Sequence, residues 1–413
     1  MQVIHERCAG LDVHKKSITV CRIIPNGKGG WDKTIRQFGT MTDELLALAD
    51  WLQAASVTTV AMESTGVYWK PIFNILEGNF KVLLVNAQHI KYVPGRKTDV
   101  NDAQWIAELL QHGLLKASFI PAVDQRDLRD LTRYRIKLVQ TRSSEINRVQ
   151  KVLEAANIKL GSVASNVLGV SGREMIEQII AGQDDPASLA QLARGRLREK
   201  IDQLERALKG HVRETHRTLL KMHLEHIDEL NAKIEALSEE IERLLIPFDP
   251  TDALSRLDTI PGVNRRIAEV ILAELGTDMS RFPTAAHAAS WAGVAPGKNE
   301  SAGKNRSGKT TKGNTYLKTA LTQAAHTVGR SKDNYLSAQY RRLASRRGKK
   351  RAAIAVAHSI LVIAYHLLKN GTVYTDLGAD YFERRNEHQV QKQLVKRLET
   401  LGYKVTIEPL AAA

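Results

Sequence analysis

The hydrophobic positions in the first 120 residues follow two periods in turn. Strand-like runs lie at 9–14, 17–23, 33–38, 57–63 and 81–85, and helical spacing of three and four lies at 42–55 and 67–76. Pro25, Asn26 and Gly27 form a strong turn signal, so runs 17–23 and 33–38 are predicted to pair as a hairpin. A hairpin followed by strands that alternate with helices predicts an α/β domain with a mixed sheet over residues 1–120.

Residues 121–248 carry helical spacing almost throughout. Apolar residues recur at three and four from Asp127 onward, and a heptad-like stripe with charged flanks runs over 197–245 with a break at Gly210. The stripe predicts a coiled coil or a helical hairpin, and its spacing fits pairing within one chain or between two chains. Pro247 and Pro250 are expected to end it.

Residues 249–372 predict a mainly helical domain. Two helical segments within 257–276 are joined by Pro261 and Gly262, a pattern that fits a helix-hairpin-helix and also an ordinary turn between helices. The apolar run 352–368 contains two histidines and is too short and mixed to span a bilayer, so it is predicted to be the buried helix that closes this domain. Residues 373–413 form a C-terminal tail with one helical stretch near 389–401.

The charge of the chain points to a polyanionic partner. The formal net charge is +15 and the sequence pI is about 9.7, which favours nucleic acid, although a ribosomal or membrane-surface partner would fit the charge as well. Cys8 and Cys21 are the only cysteines and show no metal-ligand spacing, so they are expected to be reduced core thiols. The N-terminal residues lack a signal-peptide pattern. We therefore expect a soluble, cytoplasmic protein without a membrane partner.

Four acidic residues stand out in the first domain. Asp12 lies within an apolar strand, Glu63 ends another strand, and Asp99 and Asp102 are three apart at the start of a predicted helix that ends at Gly113. Because ligand sites of α/β sheets lie at the carboxyl ends of strands, these carboxylates are expected to converge there. They would bind Mg²⁺ or Mn²⁺ for phosphoryl transfer. For the last two acids alone, a solvated first helical turn is the alternative.

A glycine-rich basic loop is the second candidate site. Residues 297–318 contain six basic residues and one acid, a composition that suits contact with a sugar-phosphate backbone. Gly262 and the start of the next helix suit a phosphate as well. The spacing at 303–310 matches a phosphate-binding loop, but no strand precedes it, so we treat the match as chance. The candidate nucleic-acid-binding residues are Arg265, Arg266, Lys298, Lys304, Arg306, Lys309 and Lys312.

The acidic segments resemble those of a known family. Residues 10–14 (Gly-Leu-Asp-Val-His), 62–66 (Met-Glu-Ser-Thr-Gly) and 97–103 (Lys-Thr-Asp-Val-Asn-Asp-Ala) resemble, in order and spacing, the Asp-Glu-Asp-Asp motifs of the insertion sequence one-ten family of transposases. The resemblance covers nearly the whole chain and implies a RuvC-like domain of the RNase H-like fold. It also implies that Asp12, Glu63, Asp99 and Asp102 bind the metal.

The same resemblance assigns a nucleophile. The family's second domain carries a Ser-Gly-Gly-Lys segment followed by a Gly-Asn segment, which correspond here to residues 301–304 (Ser-Ala-Gly-Lys) and 312–318. Ser301 is then the residue that attacks DNA, with Ala302 as a departure from the family pattern. The resemblance further implies donor and target DNA, a guide RNA, and a homo-oligomer, a dimer or a tetramer, held together by the heptad-like segment.

These observations predict a DNA transposase with a RuvC-like domain at 1–120, a helical and coiled-coil region at 121–248, a serine-bearing domain with a helix-hairpin-helix at 249–372, and a tail at 373–413. It would work in the bacterial cytoplasm, associated with the nucleoid. One alternative is a RuvC-like Holliday-junction endonuclease that uses water as nucleophile. Another is an architectural nucleic-acid-binding protein without catalysis.

Overall fold

The computed structural model of the chain describes residues 2–64, 66–86, 102–297, 300–301, 304–305, 309–385 and 387–406. For residues 300–301, 304–305, 387–390 and 393 it describes the backbone only. The chain divides into two compact units, Met1–Pro121 and Ala122–Ala413.

The first unit is built on a mixed five-stranded sheet. Its strands are β1 (Cys8–Val13), β2 (Ile18–Pro25), β3 (Trp31–Phe38), β4 (Thr59–Glu63) and β5 (Lys81–Val85). They lie in the order β3-β2-β1-β4-β5, where β2 is antiparallel to both neighbours and β1, β4 and β5 are parallel. The predicted hairpin and mixed sheet are therefore present.

Among the described residues of this unit, three helices cover the two faces of the sheet: α1 (Thr42–Gln53), α2 (Trp69–Leu76) and α3 (Asp102–Gln111). Because side chains alternate along a strand, Leu11 and Met62 share a core with α1 and α2. Cys8 and Ala61 face the other way and share a core with α3. Strand β1 is thus covered on both sides, which explains why its sequence is apolar apart from Asp12.

Two long antiparallel helices organise the second unit. Helix α4 (Val123–Ala155) has 33 residues and packs along a second helix, Glu214–Phe248, of 35 residues. Leu138 shares a small core with Leu230 and Ile234, while Val149 shares another with Leu220. The part of the predicted stripe that lies on this long helix therefore pairs within the chain along α4, whereas its first part, with Leu204 and Leu208, lies in the segment between the two long helices. The long helix includes Pro247, and ends one residue after this predicted stop.

The segment between these two long helices forms a small helical cap on one end of the pair. Its helices are α5 (Leu160–Val163), α6 (Val170–Ile180), α7 (Pro186–Ala190), a 3₁₀ turn (Gly195–Lys200) and α8 (Ile201–Leu208). The second long helix, Glu214–Phe248, follows them in the chain and is called α9. The apolar residues of the cap share one core with the ends of α4 and α9.

The other end of the long pair packs against the last domain-sized cluster of helices. These are α10 (Ala253–Asp258), α11 (Arg265–Leu275), a 3₁₀ turn (Met279–Arg281), α12 (Ala285–Ala292), α13 (Thr315–Val328), α14 (Tyr335–Arg347) and α15 (Lys349–Asn370). Between α12 and α13 lie the short strands β6 (Glu300–Ser301) and β7 (Lys304–Asn305). The tail carries α16 (Tyr381–Arg385) and α17 (Glu387–Thr400).

Helix α15 is the central core helix of this cluster. Among the described residues it is the one helix that is long and apolar enough to cross a membrane, by length and composition alone. Its residues Val356 and Ile360 are fully buried in the protein core, and the Tyr365 hydroxyl donates a hydrogen bond of 2.9 Å to the carbonyl of Phe282. A buried core helix passes the same test, and the predicted buried helix at 352–368 is confirmed.

A fully buried carboxylate joins three parts of the second unit. Glu274, near the end of α11, accepts two hydrogen bonds from the Arg133 guanidinium, at 2.7 and 2.8 Å. The Nε atom of Arg129, also on α4, lies 3.4 Å from the same carboxylate, and the Asn314 side-chain amide donates to it at 2.6 Å. Burial lowers the pKa of Arg129 to about 10, which leaves it charged at neutral pH. The charges are thus compensated inside the core.

We expect Glu274→Ala to destabilise the second unit by about 3–5 kcal/mol, because it leaves the buried cations without their carboxylate. Urea denaturation followed by circular dichroism measures the change. Glu240→Ala, which removes an exposed i,i+3 pair with Arg243, serves as the control and should leave the midpoint unchanged. Equal midpoints for the two variants would contradict a structural role of Glu274.

Candidate functional site

Two of the four predicted metal-binding acids are neighbours on adjacent parallel strands. Leu11 pairs with Met62 in the ladder between β1 and β4, so the next positions along the two strands are Asp12 and Glu63. Both lie at the carboxyl ends of their strands, and the alternation of side chains places them on the face that α3 covers. We call this end of the sheet, with Asp102, the carboxylate edge.

A very close helix-to-strand approach brings Asp102 to the same edge. The Cys8 thiol donates to the carbonyl of Ala107 at 3.8 Å, and a Cβ on Gly10 would lie 2.4 Å from the carbonyl oxygen of Ala103. Helix α3 therefore runs opposite to β1, and its first residue, Asp102, lies toward the end of the strand that carries Asp12. Only glycine at position 10 permits this contact.

The carboxylate edge contains oxygen donors that suit a hard divalent cation. Asp12 is partly exposed, and its Oδ2 lies 3.1 Å from Nε2 of His14. Asp99 lies outside the described residues. Within the described residues, no group of three or more His, Cys, Asp or Glu side chains is close enough to hold a metal ion. The donor chemistry, all carboxylate at the predicted positions, fits Mg²⁺ or Mn²⁺.

The two cysteines of the same sheet are not metal-ligand candidates, and Cys8 lies at the opposite end of β1 from Asp12. Cys8 and Cys21 are free and fully buried. Burial raises the pKa of the Cys8 thiol to about 12 and that of Cys21 to about 11, so both are protonated at neutral pH. Because thiolates are the form that binds metals, this environment fits the predicted role as core thiols.

Ser301 lies on a short β-hairpin in the second unit. Ser301 pairs with Lys304, and the connection between β6 and β7 has two residues. Further from the connection, Gly297 N–H donates to the carbonyl of Lys309 at 3.0 Å and Thr311 N–H donates to the carbonyl of Ala295 at 3.3 Å. We call segment 295–311 the serine hairpin; residues 298–299, 302–303 and 306–308 lie outside the described part.

The base of the serine hairpin is held by close backbone contacts. A Cβ on Gly313 would lie 2.3 Å from the amide nitrogen of Gly293, which itself has a φ of +73° at the end of α12. Asn314 N–H donates to the carbonyl of Trp291 at 3.0 Å, and its side-chain oxygen caps α13 by accepting from Leu317 N–H. Its side-chain nitrogen donates to Glu274. The Gly-Asn segment of the sequence therefore anchors the hairpin.

Sequence analysis did not identify Glu274 as a residue that positions this site. Its partners Arg129 and Arg133 are four apart on one helix, which is a visible charge pattern. Their carboxylate partner, however, is about 140 positions away along the chain, and no local pattern connects them.

The predicted nucleic-acid-binding residues have different surroundings. Arg265 is paired with Glu242 at 2.6 Å and with Glu269 at 3.3 Å, and these contacts raise its pKa. Arg266 is exposed, and no carboxylate among the described residues pairs with it. The turn at Gly262, with a φ of +84°, packs against α13, where an added Cβ would lie 2.5 Å from the carbonyl of Ala324.

Within the basic loop, the structure describes the surroundings of Lys309 and Lys312, and both are exposed. It describes only the backbone of Lys304, whereas Lys298 and Arg306 lie outside the described residues.

Comparison with known proteins identifies the class and then the family. A DEDD-type family model described as "Transposase" matches residues 9–158, and a model described as "Transposase IS116/IS110/IS902 family" matches residues 254–341. The first implies an RNase H-like fold, with which the mixed five-stranded sheet agrees. The two models together match more than half of the chain. The chain belongs to the IS110-type DEDD transposases, so the resemblance noted from the sequence is confirmed.

Individual relatives agree with this family. A protein of Pseudomonas aeruginosa named "Probable family 20 transposase" is 27% identical over 76% of this chain and 85% of its own length. The "Transposase for insertion sequence element IS1111A" of Coxiella burnetii is 24% identical over 88% of this chain and 90% of its own length. An "Insertion element IS110 uncharacterized 43.6 kDa protein" of Streptomyces coelicolor is 32% identical over 35% of this chain and 33% of its own length.

We expect Gly10→Ala to disrupt the carboxylate edge, because its methyl group would overlap the backbone of α3 and push the helix away. The cost should be about 1–3 kcal/mol. The measurement is the thermal unfolding temperature with and without Mn²⁺, since a bound ion stabilises the native state. Gly78→Ala is the matched control, because an added Cβ there meets nothing within 4 Å. Wild type and the control should gain stability from Mn²⁺, and Gly10→Ala should not; an undiminished gain in Gly10→Ala would refute the assignment.

Proposed function

We propose that the protein cuts and rejoins DNA strands of an insertion sequence, with Ser301 as the nucleophile. The observation that carries the proposal is the position of Ser301 on a hairpin whose base is fixed by Gly293, Gly313 and Asn314. A reactive residue on a hairpin whose base is held by close backbone contacts suits a nucleophile that must approach a DNA backbone. Membership of a transposase family supports the same reaction class.

The second part of the proposal is a divalent metal ion, Mg²⁺ or Mn²⁺, held by Asp12, Glu63, Asp99 and Asp102. Such an ion stabilises charge that develops on phosphate oxygens and favours deprotonation of a hydroxyl group. A serine hydroxyl is a weak nucleophile without activation, so the chemistry requires this kind of support.

The proposed reaction exchanges one phosphate ester bond for another and involves no net hydrolysis of DNA. The Ser301 oxygen forms a bond to phosphorus while the bond from phosphorus to the 3′ oxygen breaks, and the serine proton is transferred to solvent or to a base. The products are a phosphoserine on one DNA end and a free 3′-hydroxyl on the other. Attack of another strand's 3′-hydroxyl on the phosphoserine then rejoins DNA and regenerates Ser301.

The partners in this proposal are donor DNA, target DNA and a guide RNA, and the active form is a homo-oligomer, a dimer or a tetramer. The net charge of +15 supports polyanionic partners. We propose that the two-helix segment around Gly262 acts as a helix-hairpin-helix and contacts DNA through Arg265 and Arg266. The basic residues of the glycine-rich loop would contact the sugar-phosphate backbone of the nucleic acid; these are Lys298, Lys304, Arg306, Lys309 and Lys312. The setting is the bacterial cytoplasm, at the nucleoid.

The central test is a denaturing gel that detects DNA covalently attached to the protein. Wild-type protein with Mg²⁺, DNA of its element and co-purifying RNA should form an adduct. Ser301→Ala should reduce adduct formation at least about 10³-fold because the attacking oxygen is gone, and Asp102→Asn should reduce it because a metal ligand is lost. Ser307→Ala is the matched control in the same basic loop and should keep the adduct.

Other outcomes of this gel separate the alternatives. Cleavage without an adduct, unchanged by Ser301→Ala, would indicate a junction endonuclease that uses water. DNA binding without cleavage under all metal conditions would indicate an architectural protein. Both results would refute the serine mechanism.

We further expect Arg266→Gln to weaken DNA binding more than Arg265→Gln. Each phosphate contact contributes about one unit to the slope of log affinity against log salt, and Arg266 has no competing carboxylate among the described residues. Arg265 already shares its charge with Glu242 and Glu269. Fluorescence anisotropy at several salt concentrations measures both slopes. A larger loss for Arg265→Gln would show that the arginines have the opposite roles.

A further inference from the structure

A basic cleft opens beside the base of the serine hairpin. It has a volume of about 1080 Å³ and lies between the hairpin, at Pro296 and Thr310, and helices α13, α14 and α15. Its size matches or slightly exceeds sites that bind small molecules, roughly 300–1,000 Å³. Ser301 is not among the described residues that line the cleft, and of the lining residues only Lys309 has a role assigned above.

The charge of the cleft suits a phosphate group. Five cations line it, and no carboxylate is found among the described residues of its wall. These cations are Lys309, Lys318, Arg347, Lys350 and Arg351. The Lys318 ammonium is oriented by a hydrogen bond of 2.7 Å to the Thr310 hydroxyl on the hairpin. The helix α15 starts at Lys349, so two cations come from its first turn, where backbone N–H groups also favour an anion.

The wall of the cleft also contains a polar group that suits a base. The Gln339 side-chain nitrogen donates to the Ser359 hydroxyl at 3.0 Å, whereas its oxygen is buried and has no hydrogen-bond partner among the described residues. An unpaired buried acceptor is costly, so it is expected to have a ligand partner. His358 also lines the cleft; burial lowers its pKa, and the neutral imidazole has one donor and one acceptor.

Apolar side chains complete a surface for a flat ring. Val294, Ile354 and Ala355 line the cleft together with the polar groups. A cleft for phosphate alone requires neither these apolar side chains nor the Gln339 acceptor. A nucleotide uses all three features: its phosphate meets the cations, its ring packs on the apolar wall, and an N–H of its base reaches Gln339.

We propose that this cleft binds one unpaired nucleotide of the DNA strand that the serine hairpin engages. The inference deepens the proposed function and rests on it for the identity of the strand. An unpaired nucleotide held beside the hairpin would position the neighbouring phosphate, because the cleft and the hairpin share Pro296, Lys309 and Thr310. Gln339 is then a positioning residue that acts through the bound strand.

The test measures binding in a Ser301→Ala background without metal, so that it does not depend on covalent chemistry. The probes are a fluorescent pentamer of deoxyadenylate and a fully abasic pentamer with the same phosphates. We expect the first to bind about 3–10-fold more tightly, which is the effect of about one net hydrogen bond plus packing. Equal affinities for the two probes would overturn the proposal.

Substitutions in the cleft test which side chains cause the preference for the base and which contact the phosphates. Gln339→Leu and Gln339→Met, which keep the side-chain volume, should remove the preference for the base and leave the salt dependence unchanged. Lys350→Gln should lower the salt slope by about one and keep the preference. The controls are Gln323→Leu and Lys332→Gln, both exposed and outside the described lining of the cleft. A base preference that persists in both Gln339 variants, with unfolding temperatures at or above wild type, would overturn the proposal.

Two further measurements test whether the bound strand is DNA and whether it binds in the cleft. A ribo-adenylate pentamer that binds as tightly as the DNA pentamer would overturn the assignment to DNA. A pentamer that contains 4-thiothymidine should photo-crosslink to peptides from α14 or α15, as mapped by mass spectrometry, and crosslinks confined to other regions would contradict the cleft. Absence of a covalent adduct in the denaturing gel, with the base preference intact, would refute the serine mechanism and leave the cleft as a nucleotide site.

Discussion

The second unit depends on one buried carboxylate. Glu274 is fully buried, and removing a carboxylate from water is costly unless cations and hydrogen-bond donors replace the water. Arg129 and Arg133 supply the cations from α4, and Asn314 supplies a donor from the start of α13. The requirement to satisfy this one group therefore places the long helix, α11 and the anchor of the serine hairpin relative to one another.

Glycines set the geometry of both candidate sites in the same physical way. At Gly10 the backbone of α3 occupies the space that a Cβ atom would need. At Gly313 the backbone of Gly293 occupies that space. Such contacts bring main chains closer than any other residue allows. They orient Asp102 at the start of α3 in the first unit, and the hairpin that carries Ser301 in the second. Precision in the candidate sites comes from close backbone packing as much as from their polar side chains.

The distribution of charge explains how a strongly basic chain folds. The buried arginines Arg129 and Arg135 are paired with the buried carboxylates of Glu274 and Glu269. The surplus of positive charge is therefore left to the surface and to the basic cleft, where Lys318 and its neighbours line a wall without a described carboxylate. Self-repulsion of these cations is relieved when a polyanion binds.

The sequence alone determined the local elements and the family. Strand 81–85 was predicted with the bounds observed, and the apolar run 352–368 became the core of α15, because period and composition are local properties. Tertiary structure decided what spacing cannot express: that the 214–248 stripe pairs with α4, that β1 pairs with β4 and so makes Asp12 and Glu63 neighbours, and that Gln339 has a buried acceptor without a described partner. Each of these depends on contacts between residues distant in the chain, and a local hydrophobic pattern contains no information about which distant partner is chosen.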